Sequence, residues 1–355
     1  MTSCEKKKKI MFQCDYTEGC HERVLERLVA TNMEQSEGYG EDEHCAAARA
    51  SVRRFVERED VAVHFLVGGT QTNATVIAAA LRPHQGVLCA ATGHINVHET
   101  GAIEATGHKV LALPSADGKL SAEQVRAALA AHRSDACREH TVQPGLVYVS
   151  HPTETGTLYT RAELAALSAA CRAGGVPLYV DGARLAYGLG APGSDVRAAD
   201  LARLCDAFYI GGTKCGALFG EAVVVAAPAL QRDFRYLVKQ HGALLAKGRL
   251  LGVQFDALLR DGLYTALGAH AVRLAQRVRA AFAARGCTFL HDSPTNQIFP
   301  VLADAHLAVL AEHYVFDPWC RTDATHSAVR VCTSWATTDA QVDALCRDIA
   351  SLPSL

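Results

Sequence analysis

Three short stretches of this 355-residue chain carry side chains that could do chemistry together. The first, Gly68-Gly69-Thr70-Gln71-Thr72-Asn73, follows an apolar run and precedes an alanine-rich one. Glycine lets a backbone approach an anion closely, and the first turn of a following helix offers N–H groups without partners. The Thr70 and Thr72 hydroxyls would add donors; a plain strand-to-helix turn is the simpler reading of this stretch alone. The second stretch, Tyr179-Val180-Asp181-Gly182-Ala183-Arg184, sets a carboxylate at the end of an apolar run. A buried carboxylate is costly without a partner. A protonated ring nitrogen would be one partner, and a salt bridge to Arg184 is the ordinary alternative. The third, Tyr209-Ile210-Gly211-Gly212-Thr213-Lys214, puts an amine in a glycine turn. A partly desolvated lysine has a lowered pKa and forms a Schiff base with a carbonyl, although a single loop lysine is more commonly just solvated.

Strands and helices must bring these stretches together. Apolar runs predict strands at Val61–Val67, Gly86–Ala91, Lys109–Leu113, Leu146–Ser150, Pro177–Asp181, Ala207–Ile210 and Glu221–Val225. Several are valine-rich and lack polar alternation, as strands covered on both faces should. Ser121–His132 and Arg161–Ala173 read as helices, with Ser121/Gln124 and Thr160/Glu163 at capping-box spacing. The alternation predicts an α/β fold with a mostly parallel seven-stranded sheet and right-handed crossovers. All three chemical stretches then fall at carboxyl ends of strands, where such sheets bind ligands. The last third reads as a small α+β domain. It has a long helix near Leu263–Arg285, strands at Thr288–His291, Gln297–Val301 and Ala328–Thr333, a helix near Ala305–His313, and a final helix capped by Thr338 with Gln341. The expected division is an N-terminal segment (1–40) near the site, a large domain (41–250) and the small domain (251–355).

A formal net charge of -2 gives no electrostatic footprint for nucleic acid. No apolar run approaches the ~20 residues that span a bilayer. The 13 cysteines are scattered without Cys-x-x-Cys spacing, which reads as reduced thiols in a cytoplasmic protein. The basic run Lys6–Lys9 reads as a solvated tail. Gly188-Leu189-Gly190-Ala191-Pro192-Gly193 matches a dinucleotide pattern, but it does not follow a strand and Pro192 stands where a helix should open. His94, His98 and Glu99 lack zincin order and a third ligand, so no metal site is expected. Cys215, beside Lys214, reads as a packed thiol.

An anion cradle, a buried carboxylate and a lysine on successive strand ends match the phosphate, ring nitrogen and aldehyde of pyridoxal phosphate. From about Asp15 to Trp335 the chain resembles the aromatic amino acid β-eliminating lyase and threonine aldolase family. These are pyridoxal-phosphate enzymes of the aspartate-aminotransferase fold (fold type I). The marks are Gly38-Tyr39-Gly40-Glu41-Asp42, Gly69-Thr70-Gln71-Thr72-Asn73, Gly93-His94, Asp181-Gly182-Ala183-Arg184 and Gly212-Thr213-Lys214. The resemblance implies that Gly69, Thr70 and Gln71 hold the phosphate, His94 stacks on the ring, Asp181 binds the ring nitrogen and Lys214 carries the cofactor. It implies that Arg184 and Arg330 grip the substrate carboxylate, with Cys14, Tyr39, Lys247 and Arg249 as further pocket residues, some reaching across a subunit interface. Two departures bear on the substrate. Cys14 stands where low-specificity threonine aldolases have a serine, and Glu154, in His151-Pro152-Thr153-Glu154, stands where they have a histidine. The implied activity is cleavage of β-hydroxy-L-amino acids such as L-threonine or L-allo-threonine to glycine and an aldehyde, by a homodimer or homotetramer. The alternatives are β-elimination of tryptophanase type and a non-catalytic binding protein of the same fold.

Overall fold

The computed structural model describes residues 9–353, so Lys6, Lys7 and Lys8 of the basic run lie outside the described residues. The chain opens with a two-residue strand, β1 (Ile10–Met11). A seven-stranded sheet follows from β2 (Ala62–Leu66), β3 (Gln85–Ala90), β4 (Lys109–Leu113), β5 (Gln143–Ser150), β6 (Leu178–Asp181), β7 (Ala207–Gly211) and β8 (Glu221–Val225). Their order is β2-β8-β7-β6-β5-β3-β4. The pairs β3–β4, β3–β5, β5–β6 and β6–β7 are parallel, and β8 runs antiparallel to both β7 and β2. The seven strands predicted from apolar runs are these seven, and the sheet is mostly parallel as expected.

The sheet is buried on both faces, which is why its strands read as continuous apolar runs. Val147, Val149, Val180, Phe208 and Ile210 enter one core cluster with Leu164, Leu167 and Val125. Those last residues come from the helices Ala122–Ser134 and Arg161–Gly174, and both helices begin with the capping boxes that their sequences announce. Each box satisfies two orphan N–H groups and is worth about 1 kcal/mol. The alternate positions Tyr148, Tyr179 and Tyr209 enter the opposite cluster, beneath Val76 and Ile77 of the helix Gly69–Ala80. Period-two alternation thus sets three tyrosines from adjacent strands on one face.

A second, antiparallel sheet is built from β9 (Gln297–Ile298), β10 (Val301–Ala303), β12 (Asp317–Arg321) and β13 (His326–Cys332), while β11 (Tyr314–Val315) pairs with β1. Its core joins Ile298 and Val331 to Leu274, Val278 and Phe282 of the helix Leu263–Ala284, to Val342 and Leu345 of the helix Asp339–Ala350, and to Phe12. Three expectations are corrected here. Thr288–His291 forms no ladder, only the bridge Phe289–Pro300. The predicted strand Gln297–Val301 is interrupted over Phe299 and Pro300, and the proline has no N–H to donate. The helix expected to reach His313 ends at Leu310 because the chain turns into β11. The twelve described cysteines are all free.

The carboxyl edges of β6 and β7 meet without side chains between them. A Cβ on Gly182 would lie 1.9 Å from the Tyr209 carbonyl oxygen, and one on Gly211 would lie 2.3 Å from that of Ala183. The Gly211 N–H donates to the Gly182 carbonyl at 3.0 Å. The loops after Asp181 and before Lys214 are therefore locked back to back.

Two histidines, His151 fully buried and His64 half-buried, give the fold a pH dependence. Burial drives the pKa of both His64 and His151 down to about 4. The unfolded chain binds these protons nearer 6.5, so both histidines contribute stability above 6.5 that is lost as pH falls toward 4. The urea unfolding midpoint is expected to fall between pH 7.5 and 5. That slope should flatten in a His64→Phe, His151→Leu double variant; an unchanged slope would assign the acid sensitivity elsewhere.

Candidate active site

The carboxyl edge of the large sheet opens into a cleft lined by Gly69, Thr70, His94, Ser150, Pro152, Glu154, Asp181, Ala183, Arg184, Tyr209 and Lys214. Its floor is Asp181, 4% exposed. One carboxylate oxygen accepts from the Ala183 N–H at 2.9 Å and the Tyr209 hydroxyl at 2.5 Å; the other accepts from the Tyr148 hydroxyl at 2.7 Å and Asn73 Nδ2 at 3.1 Å. Burial alone would raise the Asp181 pKa. The charge of His94 and the hydrogen bonds from Tyr209, Ala183 and Tyr148 overcome it and hold the carboxyl below its ordinary value. Asp181 is thus a fixed negative charge, suited to a cationic ring nitrogen. The alternative salt bridge between Asp181 and Arg184 does not form.

Asp181 belongs to a closed hydrogen-bond circuit. Asn73 Nδ2 also donates to Glu99 at 2.7 Å, and Asn73 Oδ1 accepts from the Tyr179 hydroxyl at 2.8 Å. Glu99 lies 2.7 Å from His94 Nδ1, which fixes the imidazole at the cleft wall. The His94 backbone N–H donates to Glu154 Oε1 at 2.9 Å. The Ser150 hydroxyl lies 2.6 Å from the same Glu154 oxygen and 3.1 Å from the Tyr148 hydroxyl, returning the circuit to Asp181. Burial pushes the Glu154 pKa up and the charge of Asp181 adds to it, against the pull of the Ser150 and His94 hydrogen bonds. A carboxyl raised in this way is a stronger base than an exposed one.

On the opposite wall, Gly68 caps the helix Gly69–Ala80 without a side chain, and no acidic residue occupies its first turn. The Thr72 N–H closes the first helical bond to the Gly68 carbonyl. The N–H groups of Gly69, Thr70 and Gln71 are those that a helix start leaves free for an anion. Thr70 lines the cleft, whereas Thr72 is fully buried and Gln71 turns its side chain away, bonding the Val67 N–H and the His241 carbonyl. Any phosphate contact of Gln71 is therefore a backbone one. Cys215, next to Lys214, is a packed thiol whose pKa burial pushes up to about 12. The donor set of the cleft fits pyridoxal phosphate: an uncapped helix start for the phosphate, an ionised carboxylate for the ring nitrogen, and an amine for the aldehyde.

The arginines are held by the ends of the chain. Arg184 forms a two-pronged ion pair with Asp15, at 2.7 and 3.0 Å, and Asn296 Nδ2 donates to the same carboxylate at 3.0 Å. Burial would raise the Asp15 pKa, but the charges of Arg184 and Lys214 outweigh it and keep it low. Arg330 donates to the Gln13 carbonyl at 3.0 Å and to Gln297 at 3.2 Å, and it pairs with Asp317 at 2.9 Å. The N-terminal segment thus braces both arginines. Cys14 and Arg330 lie outside the cleft lining. Tyr39 lines a separate surface depression with Arg235, Tyr236, Lys239 and Leu244, and Arg249 bonds the carbonyls of Glu34 and Asn32. Sequence patterns do not mark Tyr148, Tyr209, Asn73, Glu99 or Ser150 as site residues; for Tyr148, Ser150 and Tyr209 the signal is a polar side chain in an otherwise apolar strand, whereas Asn73 lies on the helix Gly69–Ala80 and Glu99 in a bend.

Comparison with known proteins gives the family and the fold. A family profile described as beta-eliminating lyase matches residues 12–305. A low specificity L-threonine aldolase of Pseudomonas aeruginosa is 30% identical over 342 residues, 95% of this chain and 96% of that protein. The solved structure of Leishmania major threonine aldolase is 44% identical, with a TM-score of 0.94 over 96% of this chain and 98% of that one. A Thermus thermophilus aspartate aminotransferase variant at 15% identity still reaches a TM-score of 0.67, covering 96% and 91%, a likeness of fold. With the profile spanning most of its length, this chain belongs to the beta-eliminating lyase family and carries the aspartate-aminotransferase fold.

Proposed function

We propose that the protein is a threonine aldolase-type lyase that cleaves β-hydroxy-L-amino acids to glycine and an aldehyde. The observation that carries the reading is Glu154, a carboxyl with a raised pKa facing the same cleft as Lys214 and Asp181. The threonine aldolases from Pseudomonas aeruginosa and Leishmania major, similar over nearly their whole lengths, support it. The Gly69, Thr70 and Gln71 N–H groups would hold the phosphate of pyridoxal phosphate, His94 its ring face, Asp181 its ring nitrogen and Lys214 its aldehyde carbon. When bound, that group supplies an electron sink for the pair released at Cα.

The chain's own residues do the rest. Arg184 reaches the cleft with its guanidinium fixed by Asp15 and orients the substrate carboxylate, while Arg330, outside the cleft lining, braces the N-terminal segment through the Gln13 carbonyl. Glu154 accepts the β-hydroxyl proton as the Cα–Cβ bond breaks; the aldehyde departs and Cα takes a proton to give glycine. Ser150 and the His94 N–H keep Glu154 aimed. The protein is read as a cytoplasmic homodimer or homotetramer. The depression lined by exposed Tyr39 and Tyr236 supports an assembly, since exposed apolar surface of this kind suits a subunit contact.

Purified protein should turn L-threonine, L-allo-threonine or phenylserine into glycine and the matching aldehyde. Ammonia and a keto acid, above all from tryptophan, would establish elimination instead. Borohydride should fix the cofactor to a peptide containing Lys214, and Lys214→Ala should abolish turnover; a label on another lysine sinks the assignment. Glu154→Gln should slow β-hydroxy substrates by ~10²–10⁴-fold, the range of a lost general base. Because the Glu154 pKa is raised, wild-type activity should fall on acidification as that carboxyl protonates, and the glutamine variant should lose this limb. An unaltered pH–rate profile would remove Glu154 from the chemistry. Asp181→Asn should depress turnover far more than cofactor retention, since an amide still hydrogen-bonds but carries no charge; equal losses in both would make Asp181 structural.

A further inference from the structure

Glu221 is a buried carboxylate without a part in the reaction just described. It opens β8, and because β8 runs antiparallel to β7, its first residue pairs with Gly211, the last residue of β7. Strand reversal thus delivers a carboxylate to the ligand edge of the sheet, on the protein side of the Lys214 turn. The residue is 4% exposed. One oxygen accepts from the Gly212 N–H at 3.1 Å, and the other from the Thr213 hydroxyl at 3.2 Å. Thr213 Oγ1 accepts in turn from the Gly220 N–H at 3.0 Å. The two residues before Lys214 are therefore tethered to one carboxylate. The turn has no slack elsewhere, since a Cβ on Gly212 would lie 2.7 Å from the Gly220 carbonyl and 2.8 Å from the Phe255 ring.

Charge makes the placement informative. The titratable groups that interact with Glu221 are Lys214, Asp181, Cys215, Tyr209, Tyr179 and Tyr264, and the cation in that set is Lys214. Burial pushes the Glu221 pKa up to about 8, against the pull of the Lys214 charge and the Gly212 N–H. With that pKa the carboxyl keeps its proton at neutral pH and becomes a charge in alkaline solution, where it stabilises whichever form of the Lys214 nitrogen carries the proton.

We propose that Glu221 is a positioning residue for Lys214: it holds the Gly212–Thr213 turn so that the amine faces the cleft, and once ionised it favours the protonated nitrogen there. The inference rests on the cofactor reading above. Its test is the absorbance of the purified, cofactor-loaded protein titrated with pH, without substrate. In Glu221→Gln, which keeps shape and drops charge, the lysine-linked chromophore should lose its proton at a pH lower by roughly 1 unit. Thr213→Ala should release the cofactor several-fold faster on dilution, and Thr213→Ser should restore retention. Glu221→Ala should combine both defects; if it does not fold, the glutamine and threonine variants decide alone. A Glu221→Gln chromophore that titrates at the wild-type pH, or Thr213→Ala and Thr213→Ser variants that retain the cofactor equally, overturns the proposal. A wild-type protein with no lysine-linked chromophore overturns the cofactor reading first, and that result is distinct because it appears before any substitution.

Discussion

A negative charge held at the end of a strand, out of water, is the constraint around which the cleft is organised. Asp181 stays ionised because two tyrosine hydroxyls, an asparagine amide and a backbone N–H converge on it. An isolated buried carboxylate would instead neutralise itself by taking up a proton. Much of the local sequence follows from this requirement. Tyr148 and Tyr209 come from the strands on either side of β6, both on the face that Asn73 approaches from the helix Gly69–Ala80. Asn73 and Glu99 carry the connection to His94, and Ser150 carries it to Glu154. The polar groups of the cleft are therefore not separate side chains around a hole. They form one network in which the charge on Asp181 helps to raise the Glu154 pKa.

Backbone geometry decides where this network meets the lysine. Gly182 and Gly211 permit contacts that any Cβ would prevent, so the Asp181 and Lys214 loops sit at a fixed separation. The reversal of β8 then sets Glu221 under the lysine turn, a position that an all-parallel sheet would have given to the far end of that strand. The cleft is closed by chain ends. Asp15 clamps Arg184, and Asn296 from the smaller antiparallel unit clamps Asp15. A buried ion pair of this kind is a weak source of stability, because desolvation offsets the attraction. Its value here is geometric: it fixes one guanidinium against the N-terminal segment, which Asn296 holds in turn.

The sequence by itself determined the strands of the large sheet, the capped helices between them and the three loops at their carboxyl ends. These are local properties. A valine-rich run without polar alternation, a threonine three residues before a glutamate, or a glycine pair before a lysine can each be read in a window of a few residues. Chain ordering along the sheet and the partnerships across it were decided by the tertiary structure alone. Asn73 reaches Asp181 across 108 positions, and Asp15 reaches Arg184 across 169. The Gln71 side chain caps Val67 across the turn, which leaves its backbone N–H to face an anion, and Tyr39 lines a surface depression of this protomer. Pro300 broke a strand that apolar composition alone would have continued. The physical reason is common to all of these. Hydrogen-bond partners of buried groups are set by which strands become neighbours, and the order β2-β8-β7-β6-β5-β3-β4 is a property of the whole packed sheet that no local pattern encodes.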